Sequence, residues 1–387
     1  MKNMSSSLPL LAVSTLLLLS IFNPSMMVMA EENSSSNDKF VRDTCNRFQY
    51  DELYKLCFSV IDSDPREDLK SNLTELRRHL PSDPSRRILS GLHPPISEAA
   101  IKLNHSYYIR VTPGTYRGHL EIPPTKKFIA LIGDNALTTI IVDNRSHGSG
   151  FKTFDSATLV VKGDNFMAQH LSFENSAGPQ NGQAVAVLDY ANHTVYYDCR
   201  FLSFQDTLYS RGQCQFFREC DVYGTVDFIF GDGLAVFQDS NIYARLPMDE
   251  ITVTAQSKDQ SWLKSGFSFQ NCTVTVSPEI ASSKAKAKIY LGRPWRQYST
   301  VVFMESFLDD NVQPAGWELW KGVPINNLFY VEFNNRGPGA DTTHRVNWPT
   351  FYVLNKQLAK NFTVENFING SDWLPETHVP FRTGLNG

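Results

Sequence analysis

Short apolar runs, punctuated by glycine, asparagine and aspartate, dominate the chain from about Ile96 onward. They include YYIRV, KFIALIG, TTIIV and ATLVV, and no helical pattern of ten or more residues separates them. Apolar, β-branched runs bounded by turn residues predict strands, and the missing helices argue against alternating β and α units. The sequence therefore predicts an all-β domain over residues 96–387.

The strands also repeat in a common register. Degenerate repeats of about 20 to 30 residues are typical of solenoids, in which stacked strands bury a continuous core. A sandwich of regular hairpins is the alternative, which the lack of tight Asn-Gly turns disfavours. One register contains Leu171, Cys199, Cys220, Ser240 and Cys272, each followed two positions later by Phe173, Phe201, Val222, Ile242 and Val274 respectively.

The first 95 residues follow a different pattern. Residues 1–30 combine a basic start, an apolar run over 8–22 and small residues near the end, as in a cleaved secretory signal peptide. Over residues 31–95 a polar leader comes first. Apolar residues at three- and four-residue steps between Leu53 and Leu80 then predict a short helical segment, and a proline-rich stretch predicts a linker.

Composition narrows the classes of partner. The net charge of −4 gives no excess of basic residues to bind nucleic acids or anionic membranes, so we expect neither as a partner. We also expect a monomer.

Six cysteines in an oxidising compartment can form disulfides, so Cys199 and Cys220 either bridge adjacent coils or stack as free thiols. Secretion also fits the glycosylation sequons at Asn33, Asn72, Asn104, Asn144, Asn192, Asn271, Asn361 and Asn369.

Two aspartates carry the candidate chemistry. Asp206 in FQDTLY and Asp227 in YGTVDFIFG are separated by 21 residues, as are Cys199 and Cys220. Neighbouring strands of a solenoid lie about 4.8 Å apart, so a shared register places the two carboxylates side by side. Such a pair titrates as a coupled unit, in which one group becomes an acid and the other a nucleophile or base.

Three further side chains would complete a site for acyl transfer. If Arg293 in YLGRPW reaches the pair, it selects the carboxylate that stays ionised, and the amides of Gln183 and Gln205 donate to an oxyanion. One carboxylate then attacks an ester carbonyl while the protonated one supplies a proton to the leaving alcohol. The same spacing suits a retaining glycosidase, so the carboxylate pair is compatible with both reaction classes.

The strings GQAVAV, FQDTLY, YGTVDFIFG, YLGRPW and PAGW together resemble those of the plant pectin methylesterases, from about Ile96 to the C-terminus. The resemblance implies a right-handed parallel β-helix that hydrolyses methyl esters of homogalacturonan in the cell wall. It implies no metal or organic cofactor. It also implies pectin as the partner, and a proteinaceous pectinesterase inhibitor as a further one.

The resemblance also implies a role for each site residue. Asp227 would be the nucleophile, oriented by Arg293, and Asp206 the general acid and later the base. The oxyanion hole would consist of Gln183 and Gln205. We expect contacts to the sugar chain from Trp295, Trp317 and Phe228.

The sequence departs from the family pattern in several places. Gly118 in GTYRG stands where relatives usually carry glutamate, and Ser240 replaces a frequent cysteine, which leaves Cys272 without its implied partner. The usual first strand of the domain is not found before Ile96. The segment before it resembles the start of an inhibitor-like pro-region with a dibasic site at 86–87. A non-catalytic pectin-binding protein with an incomplete first coil is therefore the alternative function.

Overall fold

The computed structural model describes residues 100–103, 106–248, 250–282 and 287–386, with side chains from residue 106 onward. The predicted signal peptide, the helical segment and the linker all lie outside these residues. None of the helices within them is long and apolar enough to cross a membrane.

Strands make up most of the regular structure that is described. In chain order they are β1 (Ala100–Leu103), β2 (Ser106–Val111), β3 (Gly114–Arg117), β4 (Leu120–Ile122), β5 (Ile129–Gly133), β6 (Thr139–Asp143), β7 (Leu159–Val161), β8 (Met167–Gln169), β9 (Ser172–Asn175), β10 (Val187–Asp189), β11 (Thr194–Tyr197), β12 (Arg200–Leu202), β13 (Leu208–Ser210), β14 (Gln215–Arg218), β15 (Asp221–Gly224), β16 (Val226–Gly231), β17 (Leu234–Gln238), β18 (Asn241–Ala244), β19 (Glu250–Gln256), β20 (Gly266–Gln270), β21 (Thr273–Val276), β22 (Lys288–Gly292), β23 (Thr300–Met304), β24 (Phe307–Leu308), β25 (Phe329–Phe333) and β26 (Phe351–Val353).

The described helices are short. The α-helices are α1 (Pro278–Ala281), α2 (Lys356–Ala359), α3 (Val364–Ile368) and α4 (Gly370–Trp373). Single 3₁₀ turns occupy His147–Ser149, Thr153–Asp155, Pro179–Asn181, Pro338–Ala340, Lys360–Phe362 and Leu374–Thr377. The sequence prediction that no long helix separates the strands is confirmed for the described part of the chain.

The strands form three long sheets, and successive coils of the chain add one strand to each sheet in turn. The first sheet has the order β1-β2-β5-β8-β11-β14-β17-β20-β23-β25-β26. The second has the order β24-β21-β18-β15-β12-β9-β6-β3, and the third β22-β19-β16-β13-β10-β7-β4. Only β1 and β2 pair in antiparallel fashion among the described strands, and coil-to-coil pairing is parallel throughout. The prediction of a parallel β-helix is confirmed.

In the seven coils from β8 to β25, a two-residue corner between the first and second sheets sets the register. Its first residue has a left-handed backbone, and its second points into the core. The left-handed residues are His170, Asp198, Glu219, Asp239, Asn271, Glu305 and Asn334, with φ between 48° and 55°. The inward residues that follow include Leu171, Cys199, Cys220, Ser240 and Cys272, which is the register predicted from sequence.

The cysteines of this register are free thiols and do not bridge neighbouring coils. Cys199 Sγ lies 3.4 Å from the Ala168 carbonyl oxygen, and Cys220 Sγ lies 3.3 Å from that of Tyr196. Burial raises the pKa of Cys199 and of Cys272 to about 12, so these thiols are protonated and unreactive at neutral pH. Of the two possibilities left open by the sequence, stacked thiols are the one observed.

An aromatic stack runs through the core along the first sheet. The rings lie face to face at 4.3 to 4.9 Å between centroids, because each occupies the same position in successive paired strands. Its members are Tyr196, Phe217, Phe237, Phe269 and Phe303. The stack and the corner together hold adjacent coils in fixed register.

The length of a coil varies along the third sheet. In the following series each residue pairs with the next: Leu120, Leu159, Val187, Leu208, Ile229, Thr254 and Gly292. The numbering shows that the two coils on either side of Leu208 contain 21 residues each, whereas every other coil in the series is longer. The shortest coils are therefore those that carry Asp206 and Asp227.

Candidate active site

Asp206 and Asp227 are neighbours on the third sheet. Leu208 pairs with Ile229, so the two aspartates, each two residues earlier, fall in the same register. The Asp206 amide donates to the Val226 carbonyl at 3.2 Å, which extends the pairing to the aspartates themselves. Their residues are only 8% and 5% exposed. The sequence spacing thus corresponds to adjacent, largely buried carboxyl groups.

The backbone at both aspartates is unusual. Asp206 has φ of 65° and Asp227 has φ of 53°, in the left-handed region that aspartate tolerates better than most residues. β16 also contains a bulge, since the four residues from Val226 to Ile229 lie opposite only three residues of β19, from Thr252 to Thr254. A bulge changes the side to which the following side chains point. Here it turns the Asp227 carboxylate toward Arg293.

Arg293 binds Asp227 with both ends of its guanidinium group. Nε donates to Oδ1 at 2.7 Å and Nη2 donates to Oδ2 at 2.8 Å. Arg293 directly follows β22, and its amide donates to the Thr254 carbonyl at 2.9 Å. The preceding Gly292 packs so closely on Thr254 that a side chain there would overlap it. The arginine is therefore held at the end of β22, two strands away from β16 in the third sheet, where its side chain reaches the carboxylate.

The two carboxyl groups have different electrostatic surroundings. Burial raises the pKa of Asp206 well above its ordinary value, the charge of Asp227 raises it further, and Arg293 opposes the rise. Burial also raises the pKa of Asp227, but hydrogen bonds and the charge of Arg293 oppose that rise directly. These surroundings favour Asp206 as the carboxyl group that holds a proton and Asp227 as the one that stays ionised.

Gln183 and Gln205 lie beside this pair on the preceding coil and on the same coil, respectively. Gln205 immediately precedes Asp206, and its carbonyl accepts a hydrogen bond from the Ala184 amide at 3.2 Å. The strand register is 21 residues, so Gln183 stands one residue out of step with Gln205. Both residues are half-buried, and neither amide side chain bonds to another group in the described part of the chain.

Of the three predicted sugar contacts, only Trp295 lies on the outer face of the third sheet. Its ring is half-buried and lies 6.2 Å from Phe230 and 6.4 Å from Trp320, centroid to centroid. The Arg293 guanidinium lies 4.3 Å above the Trp320 ring. Trp320 and Phe230 were not identified from sequence. Phe230 lies within the string YGTVDFIFG, and Trp320 lies three residues beyond the end of the string PAGW.

The predictions for Trp317 and Phe228 are wrong, because both side chains lie in the core. Trp317 is 1% exposed and packs edge-on against Tyr330, with centroids 4.6 Å apart. Phe228 is fully buried and fills the space left by Gly224, where a side chain would overlap it. The bulge at Asp227 directs Phe228 inward, and neither ring can reach a ligand on the surface.

Comparisons with known proteins identify the family of the chain. The Pectinesterase family model matches residues 89–371. A probable pectinesterase/pectinesterase inhibitor 41 of Arabidopsis thaliana is 44% identical over 282 residues, covering 72% of this chain and 49% of that protein. Pectinesterase 2 of Citrus sinensis is 45% identical over 282 residues, covering 72% of this chain and 55% of that protein. The chain spans about half the length of the curated relatives it matches.

Solved structures show the same fold. Pectin methylesterase from carrot superimposes with a TM-score of 0.71 at 37% identity, covering 75% of this chain and 92% of the carrot chain. The Aspergillus niger pectin methylesterase gives 0.61 at 28% identity, covering 69% and 86%. Because the family model matches most of the chain and the carrot structure is covered almost completely, this chain belongs to the pectinesterase family.

Proposed function

We propose that the chain hydrolyses the methyl esters of homogalacturonan, producing methanol and de-esterified pectin. The observation that carries the proposal is the buried pair of Asp206 and Asp227, with Arg293 bound to only one of them. Two carboxyl groups in opposite protonation states supply an acid and a nucleophile at the same pH. Membership of the pectinesterase family supports an ester as the substrate.

The proposed reaction begins with attack by the Asp227 carboxylate on the ester carbonyl carbon. The amides of Gln183 and Gln205 stabilise the oxyanion that forms, and Asp206 donates its proton to the methoxy oxygen so that methanol leaves. Asp206, now a carboxylate, takes a proton from water as that water attacks the acyl-enzyme. Asp227 is regenerated as a carboxylate, Asp206 is protonated again, and the galacturonic acid is released and loses its proton to the solvent.

The position of the pair in the sheet supports catalysis over the non-catalytic alternative. β13 pairs with β10 and β16, and β16 pairs with β13 and β19, so both site strands are bordered on each side. β7 and β4 lie beyond β10 in the same sheet. The unusual start of the domain is therefore separated from the carboxylates by intact coils.

Secretion to the cell wall and binding of a proteinaceous inhibitor belong to the same proposal.

A direct assay distinguishes the three candidate functions. We expect the purified protein to release methanol from highly methyl-esterified pectin without producing new reducing ends. Binding of that pectin in calorimetry with no methanol would instead favour the non-catalytic alternative. New reducing ends from polygalacturonate would favour a glycoside hydrolase, because that substrate has no ester to cleave.

Replacing Arg293 by lysine should move the acid side of the pH profile. Attack requires ionised Asp227, so activity is lost as the pH falls through its pKa. Lysine keeps a positive charge but cannot form the bidentate pair, so it opposes the burial-induced rise of the Asp227 pKa less effectively. We expect the acid limb of kcat/KM to shift to higher pH in Arg293→Lys. An unchanged acid limb in Arg293→Lys would contradict this role. Arg110→Lys is the control, because Arg110 forms an ion pair with Asp134 on the first sheet.

A further inference from the structure

A second ion pair lies on the two strands that carry the aspartates. Arg211 directly follows β13 and Asp232 directly follows β16, so the pair stands at the opposite end of these strands from Asp206 and Asp227. Arg211 Nε lies 3.0 Å from Asp232 Oδ1, and the side chains are 37% and 32% exposed. The proposed mechanism makes no use of this ion pair, although the pair lies on the same outer face as Asp206 and Asp227.

Arg211 is held in place by aromatic rings. Its guanidinium carbon lies 5.2 Å from the centroid of Tyr190 and 5.6 Å from that of Tyr209. The Arg211 amide donates to the Asp189 carbonyl at 2.8 Å, which fixes the backbone. A guanidinium group that is stacked on rings and paired along one edge loses little freedom when it binds a further anion. Arg211 is therefore preorganised.

The Tyr209 ring connects this pair to the candidate active site. It stacks on Phe230 at 4.1 Å, and Phe230 contacts Trp295, so the rings form a continuous outer surface. Burial raises the pKa of Tyr209, Arg211 opposes the rise, and Tyr190, Asp232 and Asp206 add to it when they are ionised. One ring thus lies within electrostatic reach of the catalytic pair and of Arg211.

We propose that Arg211 binds the free carboxylate of a galacturonate residue near the one whose ester is cleaved, and that Asp232 limits the strength of this binding. The inference rests on the proposed function. Guanidinium groups recognise carboxylates by charge and by paired hydrogen bonds, whereas a methyl ester offers no charge. Asp232 already neutralises Arg211, so an ionised neighbour is favoured only moderately. The enzyme would then act preferentially beside existing carboxylates.

Kinetics on two pectins of the same length test the proposal, one fully methyl-esterified and one half de-esterified at random. The readout is the ratio of KM for the half de-esterified pectin to KM for the fully esterified one. We expect Arg211→Gln to raise this ratio about tenfold, since a hydrogen bond to a charged group is lost. We expect Asp232→Asn to lower this KM ratio. We also expect polygalacturonate to be a stronger competitive inhibitor of this variant, and added salt to weaken that inhibition.

Two results would overturn the proposal. One is an equal change of KM on both pectins in Arg211→Gln, and the other is unaltered inhibition by polygalacturonate in Asp232→Asn. Asp134→Asn is the matched control, because Asp134 pairs with Arg110 on the first sheet. If the wild type released no methanol, the proposed function would be refuted, but the role of Arg211 would not be. Calorimetry of polygalacturonate with wild type and Arg211→Gln would still decide the role of Arg211, since weaker binding by the variant supports it and equal binding refutes it.

Discussion

Asp227→Asn should abolish the release of methanol from esterified pectin, with a fall in kcat of at least about 10³-fold. The amide has nearly the same size and can still accept a hydrogen bond from Arg293, so the site keeps its shape. It cannot act as the anionic nucleophile, and the remaining groups provide only oxyanion stabilisation and positioning. The measurement is methanol release over time under single-turnover and steady-state conditions.

Asp134→Asn is the matched control for this variant as well. Asp134 accepts a hydrogen bond from Arg110 Nε at 2.8 Å, which repeats the aspartate–arginine pairing of the site at a place remote from the third sheet. We expect this variant to retain the full rate. Methanol release by Asp227→Asn at the rate of the control would refute the assignment of the nucleophile.

Glu332→Gln should lower the free energy of unfolding by about 3–5 kcal/mol. Glu332, on β25, pairs with Arg345 through Nε at 2.6 Å, and the two side chains are 2% and 1% exposed. Arg345 also donates to the Gly339 carbonyl at 2.7 Å. Neutralising the glutamate leaves a buried guanidinium without a counter-charge, and the destabilisation follows from that desolvated charge.

Urea unfolding at constant pH measures this loss, with the slope on denaturant as a check that the same cooperative unit unfolds. Glu250→Gln is the control, because Glu250 pairs with Lys288 at 3.0 Å while both side chains remain more than half exposed. We expect that variant to change stability by about 1 kcal/mol or less. Equal losses in the two variants would mean that burial of the Glu332 pair has no energetic consequence.

The coil register was predictable because similar residue types occupy the same position in successive coils. Six of these two-residue corners bury a small or apolar side chain, so Cys199, Cys220 and Ser240 recur at the coil period and indicate it. The adjacency of Asp206 and Asp227 follows from the same period. Both predictions depend only on counting residues within coils that contain no insertion.

The direction of individual side chains was not predictable in the same way. Alternation from the buried Ile229 would place Phe228 on the outer face, but a bulge and a left-handed residue interrupt that pattern and both side chains face the core. Trp317 and Trp320 lie three residues apart in one string, and only their packing against Tyr330 and Arg293 separates core from surface. Contacts between distant segments, such as Arg211 with Tyr190, likewise leave no local signal.

The minimal length of the two coils around Leu208 constrains how such a protein can diverge. One residue inserted within a paired strand between Asp206 and Asp227 would reverse the facing of the side chains that follow and separate the carboxylates. The longer coils on either side carry extra residues outside the sheets, where added length costs little free energy. Loop exchange in those neighbouring coils is therefore the route by which evolution or engineering can alter the accepted pattern of esterification without disturbing the chemistry.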